Sequence, residues 1–504
     1  MPFRALAPQA SASAYSATRT CLPSGLPGWR DPGTIQPADV GAEIDRMGHD
    51  GPVTDAAPEA SLLPEPLPDA EAEVVALASD LIRIDSTNFG DGTGPGEAEA
   101  AAYVAERLRE VGLDPEVFTC GQARRDGVVV RIPGADRSRG ALLLHGHLDV
   151  VPVQADDWSR PPFGAVVDDD LGVPMLWGRG AVDMKDMCAM TLATIRSWAR
   201  AGVVPERDVV VLFLPDEEAG GLIGSHWLVE HRPDIFEGVT EAVGEVGGFS
   251  LTVRDDLRLY LVQTAEKGIG WLRLRASGTA GHGSMLNSDN AVTALCEAVA
   301  RVGAIDFPVH VTSAVRDFLA VLSDVTGAEL DPDDMETTLA RLGPMARLVG
   351  ATLKNTVNPT MLQAGYKANV IPGHAEASLD ARFLPGHEEE LFARIDEALG
   401  DRVVREFINH DIALETTFDG PSIDLMAAAL RAEDPHAVPV PYMLSGGTDA
   451  KAFSTLGIRC YGFAPLQLPP ALDFGALFHG VDERVPLDAL RFGTRVLGRF
   501  LRAA

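Results

Sequence analysis

Hydrophobic and polar positions along the chain form regular patterns only from about Pro68 onwards. Apolar residues at helical spacing lie in the segments 70–84, 96–112, 184–202 and 225–233. Gly112 and Gly202 are the predicted ends of the second and third of these helices. Continuous apolar runs, which indicate buried strands, lie at 128–132, 141–151 and 208–215. Strands that are apolar on both faces and alternate with helices are typical of an α/β fold with a mostly parallel sheet.

The pattern changes near Glu266. A long alternating run over 260–278 predicts a strand that needs an edge partner or protection. Helical and strand patterns follow at 291–303, 306–355 (extra helices), 367–385 and 387–400. We therefore predict an inserted α+β lid and dimerisation domain within an α/β catalytic domain with a mostly parallel sheet. The predicted catalytic domain consists of two segments, 67–265 and 416–504, and the insert between them spans 266–415.

Residues 1–66 are rich in Ala, Pro, Ser, Gly and Asp and show no sustained apolar period. Such a composition cannot bury enough apolar surface to offset the entropy of ordering the chain. We predict that this segment is disordered or a wrongly assigned extension.

The balance of charge limits the classes of partner. The 504 residues include 42 Lys and Arg against 73 Asp and Glu, which gives a formal charge of −31. A surface of this sign repels nucleic-acid phosphates and anionic membranes, so we predict no nucleic-acid or membrane partner. The 5 cysteines are far apart, and no secretory signal pattern or membrane-length apolar run is evident. The sequence thus favours a cytoplasmic enzyme.

Metal-capable residues cluster in five short segments, each beside the end of a predicted strand or helix. The candidates are His147 with Asp149, Asp183, Glu217 with Glu218, Glu245, and His479. Each segment alone has an ordinary interpretation as a solvated strand end, a helix N-cap or a charged loop. Two histidines and three carboxylates together suit Zn²⁺ or a similar divalent ion, and one shared carboxylate would make two three-ligand sites.

The order of these motifs carries a family resemblance. HLDVVP, GRGAVDMK, DEEAGG, EVGG and FHGVDERVP, with GTAGHGS and SGGTDA, occur in this order from about residue 70 to the end. The chain thereby resembles the co-catalytic dinuclear zinc metallopeptidase family. This family contains aminoacylase, acetylornithine deacetylase, succinyl-diaminopimelate desuccinylase and glutamate carboxypeptidase. The resemblance is specific for the family and not for the substrate.

The resemblance implies a role for each motif residue. It implies two Zn²⁺ ions per subunit bridged by Asp183, one also bound by His147 and Glu245 and the other by Glu218 and His479. Co²⁺ or Mn²⁺ could substitute for zinc. Glu217 would be the general base that activates a water between the metals, and Asp149 would orient His147.

On the substrate side, the resemblance implies roles for His282, Asn369, Arg382, Gly446 and Gly447. His282 would stabilise the oxyanion, while Arg382 and Asn369 would bind a substrate carboxylate and the two glycines would lie near it. The residues themselves leave alternatives open. Arg382 could form an ion pair with Asp380, His282 could be a turn residue, and Asn369 could cap a turn.

We therefore predict a dinuclear metallohydrolase that cleaves an amide or peptide bond next to a free carboxylate. N-acyl amino acids or short peptides would be the substrates. In the family, Glu at the position of Glu245 favours deacylases and carboxypeptidases over aminopeptidase-like branches. The alternatives are a dipeptidase or tripeptidase and a non-catalytic binding protein on this fold. The resemblance also implies a homodimer through the inserted domain, and we predict that His282 acts in the partner's active site.

Overall fold

The computed structural model describes residues 63–342 and 345–504. The prediction for residues 1–66 falls almost entirely outside the described residues. The helices of the described residues are α1 (Pro68–Arg83), α2 (Ala98–Arg109), α3 (Lys185–Ala201), α4 (Ser225–His231), α5 (Ala291–Val302), α6 (Ser313–Thr326), α7 (Met335–Leu342), α8 (Ala346–Gly350), α9 (Glu388–Leu399), α10 (Pro421–Glu433), α11 (Ala450–Ser454) and α12 (Leu487–Ala503).

The strands divide between one large sheet and three smaller ones. They are β1 (Glu116–Thr119), β2 (Asp126–Ile132), β3 (Ala141–His147), β4 (Val166–Asp170), β5 (Val173–Trp177), β6 (Val209–Leu214), β7 (Val239–Gly244), β8 (Ser250–Arg254), β9 (Leu257–Glu266), β10 (Gly268–Ser277), β11 (Gly281–His282), β12 (Thr356–Ala364), β13 (Val370–Ile371), β14 (His374–Phe383), β15 (Val403–Asp411), β16 (Leu414–Glu415), β17 (Ala437–Leu444), β18 (Arg459–Gly462) and β19 (Arg484–Pro486).

The main sheet has 10 strands, with the path β1-β2-β6-β3-β7-β18-β9-β16 and with β8 and β17 also paired to β9. Its centre is parallel, since β6, β3, β7 and β18 run in the same direction. Every residue of β3 and of β6 is buried, as their continuous apolar runs predict. Helices α1, α3, α10 and α12 pack together beside this sheet. The predicted α/β fold with a mostly parallel central sheet is confirmed.

A second sheet of four antiparallel strands has the order β12-β14-β10-β15. Its strands β10 and β14 alternate between buried and more exposed positions, and helices α5 and α9 cover the buried face. The sheet begins at Gly268 and its last strand ends at Asp411. The next strand, β16, pairs with β9 of the main sheet. The division of the chain into a catalytic domain and an insert stays a prediction.

The prediction of one alternating strand over 260–278 differs from the structure. The run is broken at Lys267, so that β9 lies in the main sheet and β10 in the second sheet. Both edges of β10 are paired, with β14 on one side and β15 on the other. The edges of this sheet are instead formed by β12, which the sequence pattern did not reveal, and by β15.

The helices predicted within 306–355 are present, and they pack against the main sheet. Helices α6, α7 and α8 share a hydrophobic cluster with β8, β9 and β17 of the main sheet. Phe318 and Leu322 of α6 are buried in this cluster together with Val440 of β17. These helices therefore cover part of the main sheet.

Two helix ends confirm local predictions. Gly202 follows α3 with φ 64°, and Gly112 follows α2 with φ 83°. Both values lie in the left-handed region that glycine adopts without a Cβ penalty, as is common after a helix. Among the described residues, no helix combines the length and the apolar character needed to span a bilayer.

Candidate metal centre and active site

Three neighbouring parallel strands end at one edge of the main sheet and supply the polar residues there. β3 lies between β6 and β7 and ends at His147. β6 is followed by the loop that contains Glu217 and Glu218, and β7 is followed directly by Glu245. Because the carboxyl ends of parallel strands lie at the same edge, residues far apart in sequence meet at this point.

One histidine faces two buried carboxylates. His147 Nε2 lies 3.1 Å from Asp183 Oδ1 and 3.4 Å from Glu245 Oε2. All three side chains are buried. Their donor atoms are close enough together to bind one metal ion.

A second set of donors shares Asp183. His479 Nε2 lies 3.2 Å from Asp183 Oδ2 and 3.0 Å from Glu218 Oε2. The His479 side chain is more than half exposed, so this set borders solvent. The two oxygens of Asp183 thus face different histidines, and this carboxylate belongs to both donor sets.

The N-cap interpretation of Asp183 does not hold. The residue before α3 is Met184, and no side chain caps this helix end. The backbone N–H groups of Val182 and Asp183 instead donate to Glu483 Oε1, at 2.6 and 3.0 Å. Glu483 is fully buried and is paired with Arg179 at 2.7 Å. This pair holds the turn that presents Asp183.

The side chains of Glu217 and Glu218, which are adjacent in sequence, point to different partners. Glu218 faces His479, whereas Glu217 Oε2 lies 3.8 Å from His147 Nε2 and belongs to neither donor set. Gly220, which follows them in the motif, has little room for a side chain. A Cβ on Gly220 would lie 2.6 Å from Nδ2 of Asn409 on β15, so the second sheet approaches the loop that carries both glutamates.

The site contains more carboxylates than histidines, so its negative charge is not balanced by imidazoles alone. Burial, with added repulsion from Asp183, raises the pKa of Glu218 to about 7. Burial also raises the pKa of Glu245 to about 8, although His147 opposes this shift. Burial and repulsion from Glu245 raise the pKa of Glu217 well above its usual range.

Hydrogen bonds to Asp183 and Glu218 raise the pKa of His479 to about 10, because the carboxylates around this imidazole favour its cationic form. The buried Oε1 of Glu218 has no hydrogen-bond partner. Buried anions of this density need compensation by cations. The donor set of imidazole nitrogens and carboxylate oxygens therefore fits divalent metal ions.

Among the described residues, no hydrogen bond or ion pair joins Arg382, His282 or Asn369 to the two donor sets. Arg382 donates two hydrogen bonds to Asp380, at 2.6 and 3.1 Å, which is the ion pair that the sequence left open as an alternative. His282 and Asn369 are exposed. They lie on or beside the two strands of a small sheet formed by β11 and β13, where the N–H of Gly283 donates to the Asn369 carbonyl at 2.9 Å.

Gly446 and Gly447 lie in the loop after β17. A Cβ on Gly447 would lie 2.5 Å from Nζ of Lys451, so the absent side chain leaves room for that ammonium group. Thr448 follows and donates to the buried Glu266 at 2.6 Å. The loop is thereby fixed against the last residue of β9.

The family model of Peptidase family M20/M25/M40 matches residues 143–503. The chain belongs to this family. It is a metal-dependent hydrolase that acts on amide or peptide bonds. The matched segment includes both donor sets and Glu217.

Similar proteins agree with this assignment. Aminoacylase-1 of Pongo abelii is 27% identical over 86% of this chain and 96% of its own length. The probable carboxypeptidase S-like 2 of Dictyostelium discoideum is 27% identical over 70% of both chains. The crystal structure of the M20 family metallo-carboxypeptidase Sso-CP2 from Sulfolobus solfataricus has a TM-score of 0.64 and 17% identity, covering 85% of this chain and 98% of the other.

A buried polar network around Asp149 supports His147 and the Glu217–Glu218 loop of this M20 family site. Asp149 accepts hydrogen bonds from the backbone N–H groups of Glu217 and Glu218, at 3.2 and 3.1 Å. His147 Nδ1 lies 3.0 Å from the Asp149 carbonyl oxygen and 3.5 Å from Asp149 Oδ1. Asp149 therefore contacts both the imidazole, mainly through its carbonyl, and the loop that carries Glu217 and Glu218, through its carboxylate.

Asn88 holds this carboxylate from the other side. Its Nδ2 donates to Asp149 at 2.9 Å and to Asp216 at 3.1 Å. Arg125 donates to Asn88 Oδ1 at 2.8 Å and is itself paired with the buried Glu97. Sequence reasoning missed Asn88, Arg125 and Glu97 because each stands outside any motif, and only the tertiary structure brings them to Asp149.

We expect Asn88→Ala to lower kcat by about 10- to 100-fold, as losses of the groups that orient a metal-ligating histidine do. KM should change much less, because Asn88 lies behind Asp149. The measurement is steady-state kinetics with metal content determined on the same samples.

Asn290→Ala is the matched control for that substitution. It removes the side-chain cap of α5, where Asn290 accepts from the N–H groups of Val292 and Thr293. It should lower the free energy of unfolding by about 1 kcal/mol and leave kcat unchanged. Equal kcat losses in both variants would show that Asn88 acts only through stability.

Proposed function

We propose that this chain is a dinuclear zinc hydrolase that cleaves N-acyl amino acids or short peptides at an amide bond next to a free carboxylate. The observation that carries the proposal is the position of Asp183. One of its oxygens faces His147 and the other faces His479. A buried carboxylate between two separate His–Glu sets is suited to a pair of metal ions that share a ligand.

The ligands of one ion would be His147, Asp183 and Glu245, and those of the other Asp183, Glu218 and His479. Two divalent ions supply Lewis acidity toward the scissile carbonyl and make water a better nucleophile at neutral pH. Three protein ligands on each side leave positions open for water and substrate.

Glu217 would be the general base. Its carboxylate lies beside the shared centre without being part of either donor set. Its backbone N–H donates to Asp149, which also lies beside His147, so that the base and the ligand are positioned by one group. Glu217 would take a proton from the attacking water and pass it to the leaving amine nitrogen.

Arg382, Asn369, His282, Gly446 and Gly447 would contact the substrate. The guanidinium of Arg382 offers the planar fork that suits a carboxylate. In the present arrangement it pairs with Asp380 in this manner, so a substrate carboxylate would have to displace or share that partner.

The similarity to aminoacylase-1 and to a carboxypeptidase S-like protein supports a substrate with a free carboxylate. Glu245 supports the same class, because deacylases and carboxypeptidases of the family tend to carry Glu there. The alternative is a dipeptidase or tripeptidase. A panel of acetyl-amino acids, blocked dipeptides and free dipeptides separates the two, since a dipeptidase would require the free amine.

A homodimer through the second sheet is also included in the proposal. β12 is an edge strand and is largely exposed. Met361 and Leu362 on it are 69% and 60% exposed. An edge strand with exposed apolar side chains is suited to pairing with a second copy. We propose that His282, which is exposed on the small sheet, acts in the active site of the partner.

We expect Glu217→Gln to retain the metal content of the wild-type protein and to lower kcat by at least about 100-fold, the lower bound for loss of a general base. Gln keeps the size of the side chain and cannot accept the proton. The measurement is hydrolysis of the best substrate of the panel, with metal quantified on the same protein. Glu230→Gln, at an exposed glutamate of α4, is the control and should keep full activity. Near-normal turnover of Glu217→Gln would assign the base elsewhere.

Asp183→Ala should lose both metal ions together, because each donor set depends on this residue. Asp183→Asn, which keeps the shape and one carbonyl oxygen, should retain no more than one ion. Asp156→Ala, at an exposed carboxylate, should retain the wild-type content. Metal quantification after dialysis, with circular dichroism as a check of folding, tests this. Two ions retained by a folded Asp183→Ala protein would contradict the bridge.

Mixing two inactive variants tests whether His282 acts across subunits. If it does, a mixed dimer of Glu217→Gln and His282→Ala chains contains one site with both groups intact, and activity should reappear on subunit exchange. A mixture of Glu217→Gln with Asp183→Ala is the control, because both residues belong to the same chain's site and no activity should return. Proven exchange without recovery in the first mixture would place His282 in its own chain's site, and a monomer in solution would contradict the dimer.

A further inference from the structure

A third group of metal-capable donor atoms, within the described residues, lies apart from the two sets that share Asp183. It consists of His310, His387 and Glu390. His310 Nε2 lies 2.7 Å from Glu390 Oε2, and His387 Nδ1 lies 3.5 Å from the same oxygen. The three side chains are 27–32% exposed, so that an ion from solvent can reach them.

The residues of this group come from two regions of the fold. His310 lies in the connection between α5, which covers the second sheet, and α6, which packs on the main sheet. His387 and Glu390 lie at the start of α9, which covers the second sheet beside α5. A ligand held by all three would join this connection to α9.

The backbone on both sides of the group is fixed. The N–H of His310 donates to the Leu353 carbonyl at 2.8 Å. Asn355 donates from Nδ2 to the His387 carbonyl at 2.9 Å and accepts at Oδ1 from the N–H of Leu384 at 2.8 Å. The donor side chains therefore extend from anchored positions, and only their torsions need to adjust to a ligand.

The arrangement of charge orients one carboxylate oxygen toward the histidines. Glu390 Oε1 lies 3.4 Å from Nε of Arg394, whereas Oε2 faces both imidazoles. The nearby ammonium of Lys354 is paired with Asp306 at 2.9 Å. The two imidazole rings are stacked with their centroids 3.7 Å apart.

We propose that His310, His387 and Glu390 bind a Zn²⁺ ion at a site separate from the catalytic centre. Two imidazole nitrogens and one carboxylate oxygen are a typical zinc donor set, with water as a fourth ligand. Zn–ligand bonds of about 2.0–2.1 Å place neighbouring donors of a tetrahedral site roughly 3.4 Å apart. The separation of His387 and Glu390 already matches this value. His310 would move away from Glu390 by a fraction of an ångström, and one ring would turn so that both nitrogens point at the ion.

Such an ion would brace the α5–α6 connection against the start of α9, and with it the two sheets that these helices cover. This inference goes beyond the proposed function and does not depend on the substrate. It predicts one zinc equivalent in addition to those bound at the catalytic centre.

The test uses the full chain and Zn²⁺ alone. After removal of metal and equilibration with micromolar Zn²⁺, His310→Asn and Glu390→Gln should each bind one equivalent fewer than the wild-type protein. His410→Asn is the matched control, because His410 pairs with Glu388 of the same helix at 2.7 Å without a second histidine. It should keep the wild-type content. Equal zinc content in all four proteins, or binding of the extra ion only at millimolar Zn²⁺, would overturn the proposal.

A second measurement separates this site from the catalytic one. In an Asp183→Ala background the extra equivalent should persist, and His310→Asn should then remove it. Zn²⁺ should also slow amide hydrogen exchange in the segments 306–312 and 386–391, and His310→Asn should abolish that effect. Loss of the extra equivalent in Asp183→Ala alone, or exchange that Zn²⁺ does not alter, would contradict a separate zinc site.

Discussion

The concentration of buried negative charge around Asp183 is the constraint on which the rest of the structure depends. Glu217, Glu218 and Glu245 approach it from the loops that follow β6 and β7, the strands on either side of β3, and two histidines oppose them. Carboxylates removed from water and placed side by side are unfavourable unless cations compensate them. The fold must therefore hold these groups rigidly, and the same groups are then preorganised to bind divalent ions.

The rigidity comes from polar partners that do not themselves belong to the donor sets. Glu483, paired with Arg179, accepts from the backbone N–H groups of Val182 and Asp183. Asn88 and Arg125 act in the corresponding way behind Asp149. These side chains are buried and hydrogen-bonded, so removing one of them leaves another buried polar group without a partner. The candidate metal site is thus supported by two networks, one that includes Asn88 and Arg125 and one that includes Arg179 and Glu483.

The second sheet has its own hydrophobic core and also contacts the loop that carries Glu217 and Glu218. His226 of α4 lies 3.2 Å from Asp411 of β15, and Asn409 of the same strand lies against Gly220 beside the two glutamates. Hydrogen bonding to Asp411 raises the pKa of His226, which strengthens this contact as an ion pair. The loop that carries Glu217 is therefore held between Asp149 on one side and β15 on the other. Any movement of the second sheet relative to the main sheet would therefore alter the position of the Glu217 loop.

The amino-acid sequence by itself determined the elements and the types of ligand. Continuous apolar runs identified β3 and β6, glycines marked the ends of α2 and α3, and the order of the His, Asp and Glu motifs indicated a dinuclear site. These features are local or carried by motif order, so they can be read without knowing which strands are neighbours.

Only the tertiary structure decided which groups meet. The strand order β6-β3-β7 is not the order in sequence, and it alone sets His147 between Glu217 and Glu245. The break at Lys267 depends on two sheets with separate cores, which a continuous alternating pattern does not reveal. Asn88, Arg125 and the pairing of Arg382 with Asp380 likewise depend on contacts between side chains whose types are common everywhere in a protein. A pattern along one chain records periodicity, whereas such contacts are set by how the elements pack.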